Sequence, residues 1–154
     1  MKNKWVLGTI LLVAVLGVGR LILAQPARQA VISEIRGGVE IRIREADWKP
    51  AEVGVVLHEQ DEIRTAKGGF AEILLDENAS AGKLELKGDS HLKLSSLAWD
   101  PISGEKTTLL DLAIGKVLVH AEKLQGNSQF KVRTATSTTG VRGTVFEVSV
   151  TAEK

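Results

Sequence analysis

The C-terminal stretch FKVRTATSTTGVRGTVFEVSV, residues 130–150, constrains the fold more than any other part of the chain. Phe130, Val132 and Thr134 alternate with Lys131 and Arg133, and Phe146, Val148 and Val150 alternate with Glu147 and Ser149. A period of two sends successive side chains to opposite faces, so each run reads as a strand buried on one face. Between the runs, Gly140-Val141-Arg142-Gly143-Thr144 sets two glycines around one arginine. Glycine tolerates positive φ and close backbone approach, so this segment reads as a polar turn joining two strands. Arg142 is then a solvated turn residue, a pin that holds an adjacent loop through a bidentate fork to a carboxylate, or a contact for a partner.

The same alternation recurs upstream. Val39, Ile41 and Ile43 face one way and Glu40, Arg42 and Arg44 the other. Further strand signals lie at 53–57, 62–65, 70–75, 83–87 and 91–95. A last pair, 107–113 and 116–121, is divided by Gly115. Turn signals separate them at 45–49, Lys67-Gly68-Gly69, 76–80, Gly88-Asp89, 100–105 and Gly126-Asn127-Ser128. The expectation is an all-β domain of about ten short strands in a twisted sandwich, a roll or a solenoid-like stack. The leucine pairs 84/86, 92/94 and 110/112 hint at stacking but keep no fixed period. Helix signal in this part is confined to one loose turn at 97–100. Trp48 and Trp99 are expected to cap core edges, or to act as interface anchors if they are exposed. Asp61 and Asp76 stand at strand ends, where turn hydrogen bonding is the ordinary role.

The N-terminus is of another kind. Residues 1–4 are short and basic, residues 5–19 carry no charge, and Leu21-Ile22-Leu23-Ala24 follows Arg20. A basic start, an apolar run and a small residue describe a secretory signal peptide. The alternative is a retained hydrophobic helix: residues 5–24 are long enough to cross the hydrocarbon core, with Arg20 reaching for the interface. Residues 1–24 are thus a signal peptide or membrane anchor, 25–30 a linker, and 31–154 the β domain. Both readings leave the positive end in the cytoplasm and the bulk outside it. The expected location is periplasmic or otherwise extracytoplasmic, anchored to the inner membrane or exported.

Charge and motifs exclude several functions. Residues 1–30 hold four basic and no acidic side chains, whereas 31–154 hold 16 basic and 19 acidic ones. A mixed, slightly acidic domain does not suit nucleic acid. There is no cysteine, hence no disulfide or thiolate metal site. His58, His91 and His120 lack any ligand spacing, and there is no G-x-S-x-G, P-loop or G-x-G-x-x-G. No catalytic, cofactor-binding or metal site is expected, and the protein reads as non-enzymatic.

In these residues the chain resembles the FecR-type domain of bacterial cell-surface signalling regulators. The family pattern Phe-x-Val-x-Thr-Pro, then Val-Arg-Gly-Thr-x-Phe-x-Val, is met by Phe130, Val132, Thr134, Val141, Arg142, Gly143, Thr144, Phe146 and Val148. Upstream, Gly38-Val39, Trp48, Pro50-Ala51, Gly54, Leu57, Asp61, Ile63 and Thr65 fit in order, followed by Gly69, Ala71, Ile73 and Leu75. The chain departs at Ala135, where the family has proline, and at Gln60-Asp61, where it has Gly-Asp. The resemblance implies an all-β extracytoplasmic module that acts by binding. Family members that regulate iron uptake carry a cytoplasmic anti-sigma segment before the membrane helix and a receptor-contacting region after the β domain. With four residues before the apolar run and four after Val150, a stand-alone domain without the anti-sigma region is expected. The partner would be a protein of the envelope, met by pairing at an edge strand, with the membrane a second partner if the N-terminal segment is retained. The residues expected to carry this role, or to support it structurally, are Arg142, Gly143, Thr144, Phe146, Trp48 and Asp61. The alternative is an envelope scaffold or a glycan- or peptidoglycan-binding protein, which exposed Trp48 or Trp99 beside polar groups would favour.

Overall fold

The computed structural model describes residues 27–141 and 143–151. The apolar segment and its expected helix lie outside them. Among the described residues no helix is long and apolar enough to cross a membrane. Among the described residues twelve strands form the domain: β1 (Ala30–Arg36), β2 (Val39–Arg42), β3 (Lys49–Pro50), β4 (Val56–Leu57), β5 (Glu62–Thr65), β6 (Phe70–Leu75), β7 (Gly82–Leu86), β8 (Ser90–Trp99), β9 (Lys106–Ala121), β10 (Gln129–Arg133), β11 (Thr138–Val141) and β12 (Val145–Val150). One 3-10 turn, Glu77–Ala79, links β6 to β7.

The all-β expectation is met, but three details are corrected. The described residues hold twelve strands, and β8 and β9 are long, with 10 and 16 residues. The stretch 97–100 is not a helical turn, because β8 runs through it to Trp99, held by Ala98↔Thr107 and Trp99↔Lys106 pairing. The two strands expected around Gly115 are one continuous strand.

That strand organises the fold. The N-terminal part of β9 pairs antiparallel with β8 and parallel with β10, through Leu92↔Leu112, Leu94↔Leu110 and Val132↔Leu110. Its C-terminal part pairs antiparallel with β7 and β12, through Leu84↔Val119 and Phe146↔Val119. Sheet order runs β3-β2-β5-β8-β9-β7-β6-β1-β4, with β10 to β12 branching from β9, so the sheet curls around the strand that both halves share. Burial along β9 changes phase: Thr108, Leu110 and Leu112 are buried, then Val117 and Val119. A straight strand could not keep both sets in one core, because side chains alternate strictly.

Gly115 supplies the change of phase. Its φ is +94°, open to glycine and strained for other residues, and a Cβ there would overlap the Ser90 side chain. Ser90 is buried, and its Oγ accepts a hydrogen bond from the Lys116 N–H at 2.8 Å, closing the corner from the other side. A register shift between His91 and Leu92 absorbs the extra residue on the neighbouring strand.

The inward residues of both halves meet in one apolar cluster that includes Ile32, Ile73, Leu84 and Val119 from one half and Ile63, Leu92, Leu110 and Phe130 from the other. The three leucine pairs are all inside it. Each fully buried side chain of this size contributes about 1.5–3 kcal/mol. At one end a charged clamp closes the curl. Arg28 is 7% exposed, and its Nε donates to both Asp76 carboxylate oxygens at 2.8 and 3.0 Å. Its Nη1 donates to the Ala98 and Thr107 carbonyls, and its Nη2 to Thr108 Oγ1. Lys106 Nζ holds the same carboxylate at 2.7 Å. Dense pairing of this kind is what makes a buried guanidinium tolerable. Arg28 and Ala30 fall in the segment read from sequence as linker, and both are packed into the domain.

The corner predicts a graded response to alanine. Gly115→Ala combines positive φ with overlap at Ser90, so it should lower unfolding free energy by about 2–4 kcal/mol. Gly104→Ala also has positive φ (+73°) but open space around it, so it should cost only about 1 kcal/mol. Equilibrium denaturation of both variants checks this, and equal losses would remove the corner from the account.

Candidate functional site

The signature region forms three strands, where two and a turn were expected. β10 and β11 make a hairpin with Phe130↔Val141 and Val132↔Thr139 in register. Its turn is earlier than expected: the Thr134 N–H donates to the Ser137 carbonyl at 2.8 Å, and Thr134 Oγ1 accepts from the Ser137 N–H. Val141 and Gly140, read as turn, belong to β11. Arg142 lies outside the described residues. Gly143 has φ +64°, and a Cβ there would stand 3.0 Å from Lys123 Cα, so both reasons for glycine apply at this position. Thr144 is exposed, and its carbonyl accepts from the Ala121 N–H at 3.1 Å. Phe146 is half-buried and meets the buried Phe130 edge-to-face, with ring centroids 6.4 Å apart.

The strand that follows is a sheet edge. Among the described residues β12 pairs with β9 alone. The Ala121–Thr144 hydrogen bond sets its parity: even-numbered residues turn main-chain groups toward β9, and Val145, Glu147 and Ser149 turn theirs outward. Val145 is 62% exposed. Glu147 meets Lys116 at 3.3 Å, a solvent-exposed pair of small worth.

Asp61 and Trp48 sit elsewhere, by β5, and the structure does not bring them to this edge. Asp61 is buried, and its carboxylate accepts from the His58 N–H at 2.8 Å and the Arg44 N–H at 3.1 Å. It ties two turns together, the turn role expected of it. The residue before it, Gln60, has φ +74°, the conformation for which the family pattern carries glycine. Gln60 is held there by its N–H to the Leu94 carbonyl at 2.7 Å and its side-chain amide to the Ser95 carbonyl at 2.6 Å.

Trp48 does not cap the core edge. It is half-buried on the outer, polar face, with the Arg64 and Arg42 guanidinium groups 4.2 and 5.0 Å from its ring centroid. The His91 ring meets it edge-on at 5.4 Å. Around it runs a cross-strand ion ladder: Glu40–Arg64 at 2.7 Å, Arg42–Glu62 at 2.7 Å and Glu62–His91 at 2.6 Å. The opposite half carries another, in which Lys83 bridges Glu72 and Glu85 and Lys87 also meets Glu85. Such ladders keep both broad faces wet and fix strand register. Asp76, read as a turn residue, instead serves the buried clamp, whose other half lies 48 residues away in Arg28. That separation leaves no local signal. Among the described residues no group of three or more histidine and carboxylate side chains could hold a metal ion.

Several ladder carboxyls are held below the usual carboxylate range. Burial pushes Glu62 up, but the hydrogen bonds and charges of Arg42 and His91 outweigh it. Glu72 is lowered by hydrogen bonds from Lys83 and Ser33, Glu85 by Lys87, and Asp111 by Arg133, which donates from Nε and Nη2.

The fold and its surface define an all-β domain with laddered faces and an open edge. The sequence matches the FecR protein family over residues 61–154, more than half of the chain, and the chain belongs to that family. This is a regulatory, signalling-related family, generally associated with the envelope. No curated protein and no solved structure matches the chain. The match opens at Asp61, yet β1 and β2, which precede it, pair directly with β6 and β5 inside it.

The depressed carboxyls predict acid sensitivity with a definite sign. Their folded pKa values lie below those of the unfolded chain, so the unfolded state takes up protons first. The stability they contribute is complete above the ordinary carboxylate pKa, near about 4, and is lost as pH falls through the depressed values. Thermal midpoints measured from pH 7 to pH 3 should fall on the acid side. Glu62→Gln should have a lower midpoint at pH 7, by the equivalent of about 1.5–3 kcal/mol, and a shallower acid decline. An unchanged slope would show that Glu62 is not linked to folding.

Proposed function

We propose that this protein is a non-catalytic interaction and signalling module of the bacterial cell envelope, and that its partner adds a strand along β12. The observation that carries this reading is the free side of β12, where Val145, Glu147 and Ser149 point main-chain donors and acceptors outward on the segment that bears the family's residues. An extended peptide that pairs there gains main-chain hydrogen bonds, while the exposed Val145 supplies apolar contact. Glu147, offset by Lys116, limits indiscriminate pairing. Gly143 and Thr144 set the strand's start against Ala121 and Lys123, and the Phe146–Phe130 contact holds it to the core. Arg142, separated from the strand's first outward group at Val145 by Gly143 and Thr144, is the residue assigned to a partner carboxylate or a neighbouring loop. The glycan alternative gains nothing from Trp48, whose ring is already engaged by two arginines and a histidine.

Site-specific photo-crosslinking in cells tests this. A photoreactive residue at 145, 147 or 149 should yield one discrete higher-mass adduct, and one at Lys83 on the laddered face should not. Glu147→Pro removes an outward N–H and spares the bonds to β9, so it should keep the unfolding midpoint within about 1 kcal/mol and abolish the adduct from position 145. No adduct at any of the three positions would sink the edge-pairing reading.

A further inference from the structure

The most exposed large apolar side chain among the described residues is far from β12. Ile102 is 96% exposed, at the tip of the loop between β8 and β9. The tip is ordered by its own hydrogen bonds: Asp100 Oδ1 accepts from the Ile102 N–H at 2.9 Å, the Gly104 N–H donates to the Asp100 carbonyl at 2.8 Å, and the Asp100 N–H to the Glu105 carbonyl at 2.9 Å. Proline precedes Ile102 and serine follows it, so nothing in the turn shields it. Half-buried Trp99 stands at the base of the same loop, opposite Lys106.

The described chain begins at this base. Arg28 donates to the Ala98 and Thr107 carbonyls, which belong to the pair next to Trp99↔Lys106. Ala27, Arg28 and Gln29 line one cavity with Trp99 and Lys106. Because Arg28 is clamped, only three residues separate it from Ala24, the end of the apolar run. Fully extended, the four steps from Ala24 to Arg28 reach about 14 Å. A membrane that holds residues 5–24 therefore lies within about that distance of Arg28, whose guanidinium touches the loop's base at the Ala98 and Thr107 carbonyls.

We propose that the β8–β9 loop docks into the lipid interface of the membrane that carries the N-terminal segment, with Ile102 inserted and Trp99 at headgroup depth. This rests on the reading of residues 5–24 as a retained anchor. Tryptophan favours that depth, since its ring is apolar with one polar N–H. The acidic Asp100 and Glu105 beside the basic Lys106 give the loop no strong charge of either sign, so apolar insertion and the short tether carry the contact. Docking would set the orientation of the whole domain, because the clamp joins the loop's base to β6 through Asp76 and to β9 through Thr107 and Thr108.

The test uses full-length protein reconstituted in phosphatidylcholine–phosphatidylglycerol vesicles with brominated acyl chains, which quench nearby tryptophan. One variant, Trp48→Phe/Trp99→Phe, keeps Trp5 as reporter of the apolar segment; another, Trp5→Phe/Trp48→Phe, keeps Trp99. Quenching of both reporters is expected, with Ile102→Asp weakening Trp99 quenching at least twofold and leaving Trp5 quenching unchanged. Trp5 quenched and Trp99 not quenched would overturn the docking and leave the anchor standing. Neither quenched would overturn the anchor and, with it, the docking. Trp99 quenching indifferent to Ile102→Asp would also overturn the proposal, since contact would then not run through the loop.

Discussion

The domain depends on one strand being shared by two halves of a curled sheet. β9 must bury Leu110 and Leu112 on one side of Gly115 and Val117 and Val119 on the other, although an unbroken two-residue period forbids it. The left-handed φ of Gly115 resolves the conflict, and Ser90 fills the space that a Cβ would need. Everything else attaches to the two halves: β8 and β10 to the first, β7 and β12 to the second. The edge that we assign to partner binding is thus positioned by a corner about thirty residues earlier in the chain, through strict antiparallel register.

The surface follows from the same geometry. Alternation leaves every second side chain outward, and on both halves these include charged residues that pair across strands, Glu40 with Arg64 and Glu72 with Lys83. The rims differ: among the described residues β12 turns unpaired main-chain groups outward, and Ile102 protrudes at the β8–β9 loop. If both proposed contacts form, a domain fixed to a lipid surface at one rim presents the other to an extended peptide in a defined direction.

Much of this was legible locally. The strands 62–65 and 70–75 were read with the boundaries they have, because Gly, Lys and Asp punctuate short alternating runs there. Residue chemistry also marks the segment around Gly143 as needing positive φ or close backbone approach, and Asp61 as a turn residue. The failures share a cause. Gly115 reads as a break between two strands because a glycine in a strand pattern looks the same whether the chain turns back or bends onward. β11 was hidden because Thr138-Thr139-Gly140-Val141 has no apolar alternation; an exposed edge strand needs none. The expectation that Trp48 caps a core edge fails because its ring lies under cations from strands that the sequence alone does not place side by side.

By itself the sequence determined the all-β class, most strand positions, the family and the apolar character of the N-terminal run. These depend on side-chain period, turn chemistry and local composition, which act over a few residues. Tertiary structure alone decided the curl around β9, the Arg28–Asp76–Lys106 clamp, the ladders and which edge stays open. Those depend on which strands become neighbours, and strand pairing joins residues dozens of positions apart through main-chain hydrogen bonds that every residue can make equally well.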